Sequence, residues 1–341
     1  ILGDFNNVDL LPHFERMLED PNIEVRNSTV IALGKLSDQR VVPILLTALK
    51  DKVPKIRKQA IDVIVNFEKE AVIPALQTVS ADSDRQVRAA ARKQLIALEW
   101  EPKTQAEKAM YCIIRQQWNS CLPLGIDALR PLLQELKFSD AKHKAEIVKV
   151  LGKLGNPQAI DGIISVIVSS RYLKSASERK KNIRYARRAL RQLGKPSTRK
   201  LVPYLANWYV GEKVVDILTD LGWQTKSKQE LIHYLIAKRN VPRLKSQWNL
   251  TKKVLFKDVE QGSKEAITNA LYTLIGLGVE ESIDDMIEML YSKGTIRIAE
   301  AYLNSGNVEL ENAAKNWTAE KGLILFDQRK GNQPVTWGKL K

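Results

Sequence analysis

Few residues in this sequence are typed and spaced for catalysis. The three histidines, His13, His143 and His233, stand apart from one another and from any cysteine, and none opens a His-Glu pair. Metal binding needs such donors clustered, so no metal site is expected. The run Gly152-Lys153-Leu154-Gly155 lacks the spacing of a phosphate-binding loop and falls at a helix end. No Gly-x-Ser-x-Gly elbow occurs, and Cys121 has no base beside it in the sequence. Cys112 and Cys121 are too few for a disulfide framework, which makes reduced thiols and a cytoplasmic setting the default. The expectation is a chain without catalytic residues, metal or cofactor.

The chemistry that the sequence does offer is cationic. Its net charge is +15, and the window 171–200 holds twelve Lys or Arg against one acid, Glu178. That window nets +11 and leaves +4 for the other 311 residues. Within it Lys180, Arg184, Arg187 and Arg191 are spaced four, three and four apart, with Lys181 and Arg188 widening the row and Arg199 and Lys200 just beyond. Ile183, Ala186, Leu190 and Leu193 form the apolar stripe of the same predicted helix. At about 100° per residue the two stripes are centred roughly 110° apart, so the row is a coherent flank. Like charges one turn apart oppose one another, and an anionic partner relieves them. Either an acidic protein segment or a nucleic-acid backbone would serve. Aromatics interleaved with the row would favour nucleic acid; Tyr172 and Tyr185 are near it, with Tyr204, Trp208 and Tyr209 in the next unit.

The elements that must present this row are repeats. Pro12, Pro43 and Pro74 lie 31 apart, as do Asp20, Asp51 and Asp82, and Arg26, Arg57 and Arg88. Leu33, Ile64 and Leu95 keep the same period, with Thr29, Ala60 and Ala91 before them. Within a unit the apolar residues step by three and four in two runs split by a polar turn, which predicts a helical hairpin. Proline near the start of the first helix is tolerated because its missing N–H falls in the unpaired first turn. A period of this length predicts a solenoid.

A larger repeat overlies the small one. Trp100, Thr104, Glu107 and Tyr111 return 123 residues later as Trp223, Ser227, Glu230 and Tyr234, and Leu154-Gly155 returns as Leu277-Gly278. Thr-x-x-Glu before an apolar run is a capping box, so a helix should begin after Thr104. Trp118 has no counterpart, because Val241 stands there. Trp100 and Trp223 are read as wedges between repeats. Asn307 to Glu320 predicts a terminal helix stopped by Gly322.

The hairpin near 31 residues, with Pro in its first helix and Val-Arg opening its second, resembles the HEAT repeat, and more closely its short bacterial phycobilisome-lyase type. The Trp segments and the tail Leu303-Asn304-Ser305-Gly306-Asn307 resemble parts of bacterial HEAT-like proteins as well. The resemblance implies an all-α, right-handed α-solenoid of helical hairpins whose second helices line a concave face. It also implies a ladder in which Asp20, Asp51 and Asp82 pair with Arg26, Arg57 and Arg88 between neighbouring repeats; Arg184 falls at the ladder position of its own unit. The bilin-lyase activity attached to the family's name does not transfer, since no motif here marks a bilin site.

The boundaries are then HEAT-like repeats over 1–98, a Trp-containing helical insertion over 99–125, and repeats with the basic row over 126–221. A second Trp segment follows over 222–250, then repeats and a capping helix over 251–322, and an irregular or strand-like extension over 323–341. The expected function is a non-catalytic scaffold for protein–protein interaction, binding an acidic protein partner along the basic surface. Sequence-independent nucleic-acid binding by that surface is the alternative, and a HEAT-like nucleic-acid-modifying enzyme the third. No apolar run approaches the length of a transmembrane segment. The chain begins at Ile1, which leaves open a removed signal peptide, an upstream domain or a larger complex.

Overall fold

The computed structural model describes residues 10–36, 38–324 and 335–340. These residues form helices joined by short turns, with no strand among them, and none of the helices is long and apolar enough to cross a membrane. The architecture is an all-α solenoid of helical hairpins. It divides into two compact units, Ile1–Asn156 and Pro157–Lys341. Residues 1–9, at the start of the first expected block of repeats, lie outside the described residues.

The first unit opens with three hairpins: α1 (Leu11–Met17) with α2 (Ile23–Gly34), α3 (Val41–Ala48) with α4 (Pro54–Ile64), and α5 (Lys69–Val79) with α6 (Arg85–Ala97). The second helices pack on one another, α2 on α4 and α4 on α6. Thr29, Ala60 and Ala91 are buried and small, which lets these helices approach, while Leu33, Ile64 and Leu95 fill the core behind them. Asn22 and Asp84 cap α2 and α6 through their side chains. One expectation fails here. Pro74 sits well inside α5, which begins at Lys69, whereas Pro12 is at the very start of α1. The first helix of the third hairpin has been extended backward, so it carries its proline in the interior, without one backbone bond.

The unit continues with α7 (Gln105–Ile114), a 3₁₀ turn (Trp118–Leu124), α8 (Ile126–Phe138) and α9 (Ala141–Leu154). Thr104 and Glu107 close a full capping box at the start of α7. Trp100 is buried in the core and meets Tyr111 edge-on at 5.9 Å between ring centroids.

The second unit runs α10 (Ile160–Ser169), α11 (Ala176–Leu193), α12 (Lys195–Leu201), α13 (Gly211–Asp220), α14 (Lys228–Ala237), α15 (Val241–Ser246) and α16 (Trp248–Gln261). It ends with α17 (Lys264–Leu277), α18 (Ile283–Lys293), α19 (Ile296–Leu303) and α20 (Val308–Lys321), the last capped by Asn307 and stopped by left-handed Gly322. Trp223 is half-buried, 6.1 Å from Tyr234.

The 123-residue offset is a duplication of backbone, not only of residue types. Adding 123 to both ends of α7 gives α14, and doing so for α9 gives α17. Left-handed backbone recurs with it: Glu99 (φ 51°) with Gly222 (φ 68°), and Gln116 (φ 58°) with Arg239 (φ 55°). Each lets the next N–H reach back five residues, Trp100 to the Leu95 carbonyl at 3.3 Å and Trp223 to that of Leu218 at 2.9 Å. Gln117 to Cys112 (2.8 Å) and Asn240 to Leu235 (3.0 Å) are the other pair. This bond closes a Schellman turn, for which glycine is the usual residue. Only one of the four positions uses it.

Residues 335–340 are irregular and lie on the C-terminal end of α17; residues 325–334 and 341, with Gly331 and Pro334 among them, lie outside the described residues. The N–H groups of Gly338 and Leu340 donate to the carbonyls of Ile275 and Gly276 at 2.9 and 2.8 Å, and that of Trp337 to Ser305 at 2.8 Å. Gly276 and Gly278 make room for this approach. A Cβ on Gly276 would stand 2.8 Å from Leu340, and one on Gly278 would stand 2.5 Å from the backbone of Gly338.

Candidate partner-binding surface

The basic row lies on α11, which Ser175 caps by accepting from the Glu178 N–H at 3.3 Å. Ala186, Leu190 and Leu193 are buried on one side, and α11 packs against α10 and α13. The opposite flank exposes Lys180, Arg184, Arg188 and Arg191, with Lys181 and Arg187 half-buried; Arg199 and Lys200 are exposed on α12.

The row is not free of acids, as the sequence implied. Helix α13 brings in Asp220, whose carboxylate takes Arg187 Nε at 2.5 Å and lies 3.8 Å from Arg191 Nη1. The Arg187 hydrogen bond holds the Asp220 carboxyl below the usual carboxylate range, and the same bond raises the guanidinium. Lys200 pairs with Asp161 at 3.0 Å. No carboxylate pairs with Lys180, Arg184, Arg188 or Arg199 among the described residues. These four sites of the candidate surface carry no ion pair among the described residues.

Aromatic rings lie beside them. Tyr185 carries the Arg184 guanidinium at 5.3 Å and Lys181 Nζ at 5.8 Å from its ring centroid. Arg171, in the 3₁₀ turn Ser170–Tyr172, is held between the rings of Tyr172 and Tyr209 at 4.4 and 4.6 Å. Tyr172 is 71% exposed and Tyr209 53%.

In the first unit, Arg26 reaches the turn aspartate of the next hairpin, with Nε 2.6 Å and Nη2 3.2 Å from the Asp51 carboxylate. Arg57 does the same to Asp82, at 2.8 and 2.7 Å. The third nitrogen of each guanidinium, Nη1, turns back to its own hairpin and donates to the carbonyls of Asp20 and Asp51 at 2.8 Å. Asp20, Asp51 and Asp82 also each accept an N–H two residues on, at 2.7 Å, so one carboxylate shapes the turn as well. Burial acts most strongly on Asp51 and Asp82 and in the upward direction. The arginine and backbone hydrogen bonds together outweigh it, so both carboxyls fall below their ordinary value.

Arg88 keeps its bonds to the Asp82 and Ser83 carbonyls, at 2.7 and 2.9 Å, but has no aspartate ahead. The ladder step of 25 residues lands on Ile113, and the guanidinium lies over the Phe138 ring at 4.6 Å. Burial then lowers the Arg88 pKa. Arg184 likewise stands outside any ladder, because the same step lands on Tyr209.

The HEAT repeats family matches residues 11–96, the three hairpins that carry this ladder. Those residues are similar to HEAT repeats. No curated protein matches the chain. Among solved structures, an engineered protein is 16% identical over 76% of this chain and 95% of its own, with a TM-score of 0.22.

Beyond the HEAT match, packing gathers residues that the sequence kept apart. Arg92 binds Glu135 through both terminal nitrogens at 3.1 and 2.5 Å. In the duplicated half the residue matching Glu135 is Asp258, and it takes His233 Nε2 at 2.6 Å instead. The offset of 123 was the available signal for this shared buried carboxylate. Among the described residues no group of three or more His, Cys, Asp or Glu is placed to hold a metal.

Cys112 and Cys121, unrelated by spacing, are both buried and lie near one another. Burial pushes both thiols up, that of Cys121 to about 12. Since the thiolate is the reactive form, iodoacetamide at pH 8 should label neither in the folded chain and both in urea. Mass spectrometry of the alkylated protein checks this. Rapid labelling of either thiol in the native state would contradict the packing around the 3₁₀ turn.

Proposed function

We propose that the chain is a non-catalytic recognition scaffold that binds an acidic polypeptide segment along the exposed flank of α11. One observation carries this reading: after α13 has supplied Asp220 to Arg187 and Arg191, the cations Lys180, Arg184, Arg188 and Arg199 remain exposed and without a carboxylate. Tyrosine beside arginine suits a protein partner, since both are enriched among residues that anchor interfaces. The fold by itself does not decide the matter, because helical arrays host many unrelated tasks.

Charge reversal of Arg187 and Arg191 would be a poor test, since it sets new carboxylates against Asp220 and would mix folding with binding. The test is Lys180→Gln, Arg184→Gln and Arg188→Gln together, none of which removes an ion pair. Fluorescence anisotropy with a labelled polyglutamate peptide should show binding weakened about tenfold or more, the loss of roughly 1.4 kcal/mol. The circular dichroism of the variant should match that of the parent. An unchanged affinity would remove α11 as the site.

A second reading, nucleic acid, is favoured by the exposed rings of Tyr172 and Tyr209 on either side of Arg171, since bases stack on such platforms. Single-stranded DNA would then bind more tightly than polyglutamate. Losing three phosphate contacts would flatten the slope of log affinity against log salt by about 2.1. That outcome would replace the polypeptide reading.

A further inference from the structure

Beside Arg171 is a cleft of about 440 Å³, within the size range of small-molecule sites. Its walls are apolar where Val168, Pro203 and Tyr204 line them. Ser165 and Ser169 also face it, but their hydroxyls already donate to backbone carbonyls within α10. Two charged side chains line the same cleft, Arg171 and Glu265. Glu265 is half-buried at the start of α17.

These two charges do not meet. Arg171 makes no ion pair among the described residues; the Tyr172 and Tyr209 rings hold its guanidinium, which donates to the Tyr172 hydroxyl. Its Nε–H is buried with no acceptor. A buried donor left without an acceptor is costly, so such a group in a native structure calls for an occupant or a reason. Glu265 likewise makes no ion pair among the described residues. A simple anion drawn to Arg171 would meet the Glu265 carboxylate, and a simple cation drawn to Glu265 would meet the guanidinium. Only a ligand with both charges satisfies the two walls, and repulsion excludes the rest.

We propose that this cleft binds a small dipolar ligand, its carboxylate on Arg171, its ammonium on Glu265 and its carbon body against Pro203 and Tyr204. The site is separate from the α11 flank and does not depend on the polypeptide reading.

Isothermal titration calorimetry of the full chain with glycine, γ-aminobutyrate and ε-aminocaproate varies the distance between the two charges. Hexanoate and hexylamine supply each charge alone. At least one amino acid should bind saturably, and about tenfold or more tighter than either singly charged compound, one charge-assisted contact being worth that much. Glu265→Gln should abolish the preference over hexanoate, and Arg171→Gln the preference over hexylamine. Because the Glu265 side chain makes no hydrogen bond or ion pair among the described residues, its variant remains informative if Arg171→Gln does not fold. The proposal is overturned if no amino acid binds, or if hexanoate or hexylamine binds as tightly as the best of the three. Retention of the preference in Glu265→Gln overturns it equally.

Discussion

Ile64→Ala should lower the stability of the first unit by about 2–5 kcal/mol, the range for a large aliphatic side chain truncated in a closed core. Ile64 is fully buried at the end of α4, the helix that α2 and α6 both pack against. The hole left behind therefore weakens two interfaces rather than one. In a repeat array stability is close to a sum of repeat and neighbour terms, so the loss should appear across all three hairpins. Urea denaturation followed by circular dichroism gives the size. Hydrogen exchange should show faster amides in α2, α4 and α6 and unchanged ones in α17. A loss of only a few tenths of a kcal/mol would mean that Ile64 is not the core position that the 31-residue period makes it.

The second large effect belongs to the ladder. Asp82→Ala should cost about 3 kcal/mol, the low end for breaking a buried ion pair. The low end applies because 10% of the Arg57 side chain and 12% of that of Asp82 remain exposed. The variant leaves the Arg57 guanidinium in place without its counter-charge, and removes the acceptor of the Asp84 N–H. Asp82→Asn separates the two losses, since the amide oxygen keeps the turn and only the charge goes; it should fall between parent and Ala. Equal stability of Asn and parent would assign the whole effect to the turn.

Acid should act through the same carboxylates. Asp51 and Asp82 are lowered in the folded chain from 3.8. Their contribution is therefore complete above that value and is lost as pH falls through the folded pKa, the unfolded chain taking up protons first. The urea midpoint should be level from neutral pH to about 5 and drop below about 4. A midpoint that rises on acidification would reverse the assigned sign.

The parts of this molecule that were legible in the sequence are the parts that repeat. Leu33, Ile64 and Leu95 announce a buried register because one hairpin's environment is copied in the next. Thr104 and Glu107 announce a helix start because a capping box is local. The ladder partners are 25 residues apart only because the period is constant, and where the Trp segment breaks the period the pairing stops at Arg88. Asp220 had no such signal. It stands 33 residues beyond Arg187 and meets it because α13 lies beside α11. The same holds for Cys112 with Cys121, and for Tyr209 with Arg171. Each contact depends on how a turn folds back, and turn geometry does not follow from apolar spacing.

The short segment 335–340 has a consequence for the order in which the molecule is made. In the first unit each hairpin finds its partners in the next, about 31 residues on, so structure can follow synthesis closely. The carbonyls of Ile275 and Gly276, by contrast, wait for Gly338 and Leu340, and the indole of Trp337 bonds Glu280 across 57 residues. Loops of that length close late, because chain entropy opposes them before any contact rewards them. As the ribosome delivers the chain, the C-terminal end of α17, with Gly276 and Gly278 bared for a neighbour, stays uncovered until residue 340 has emerged. A nascent chain arrested before that point presents this bare end to whatever surrounds it.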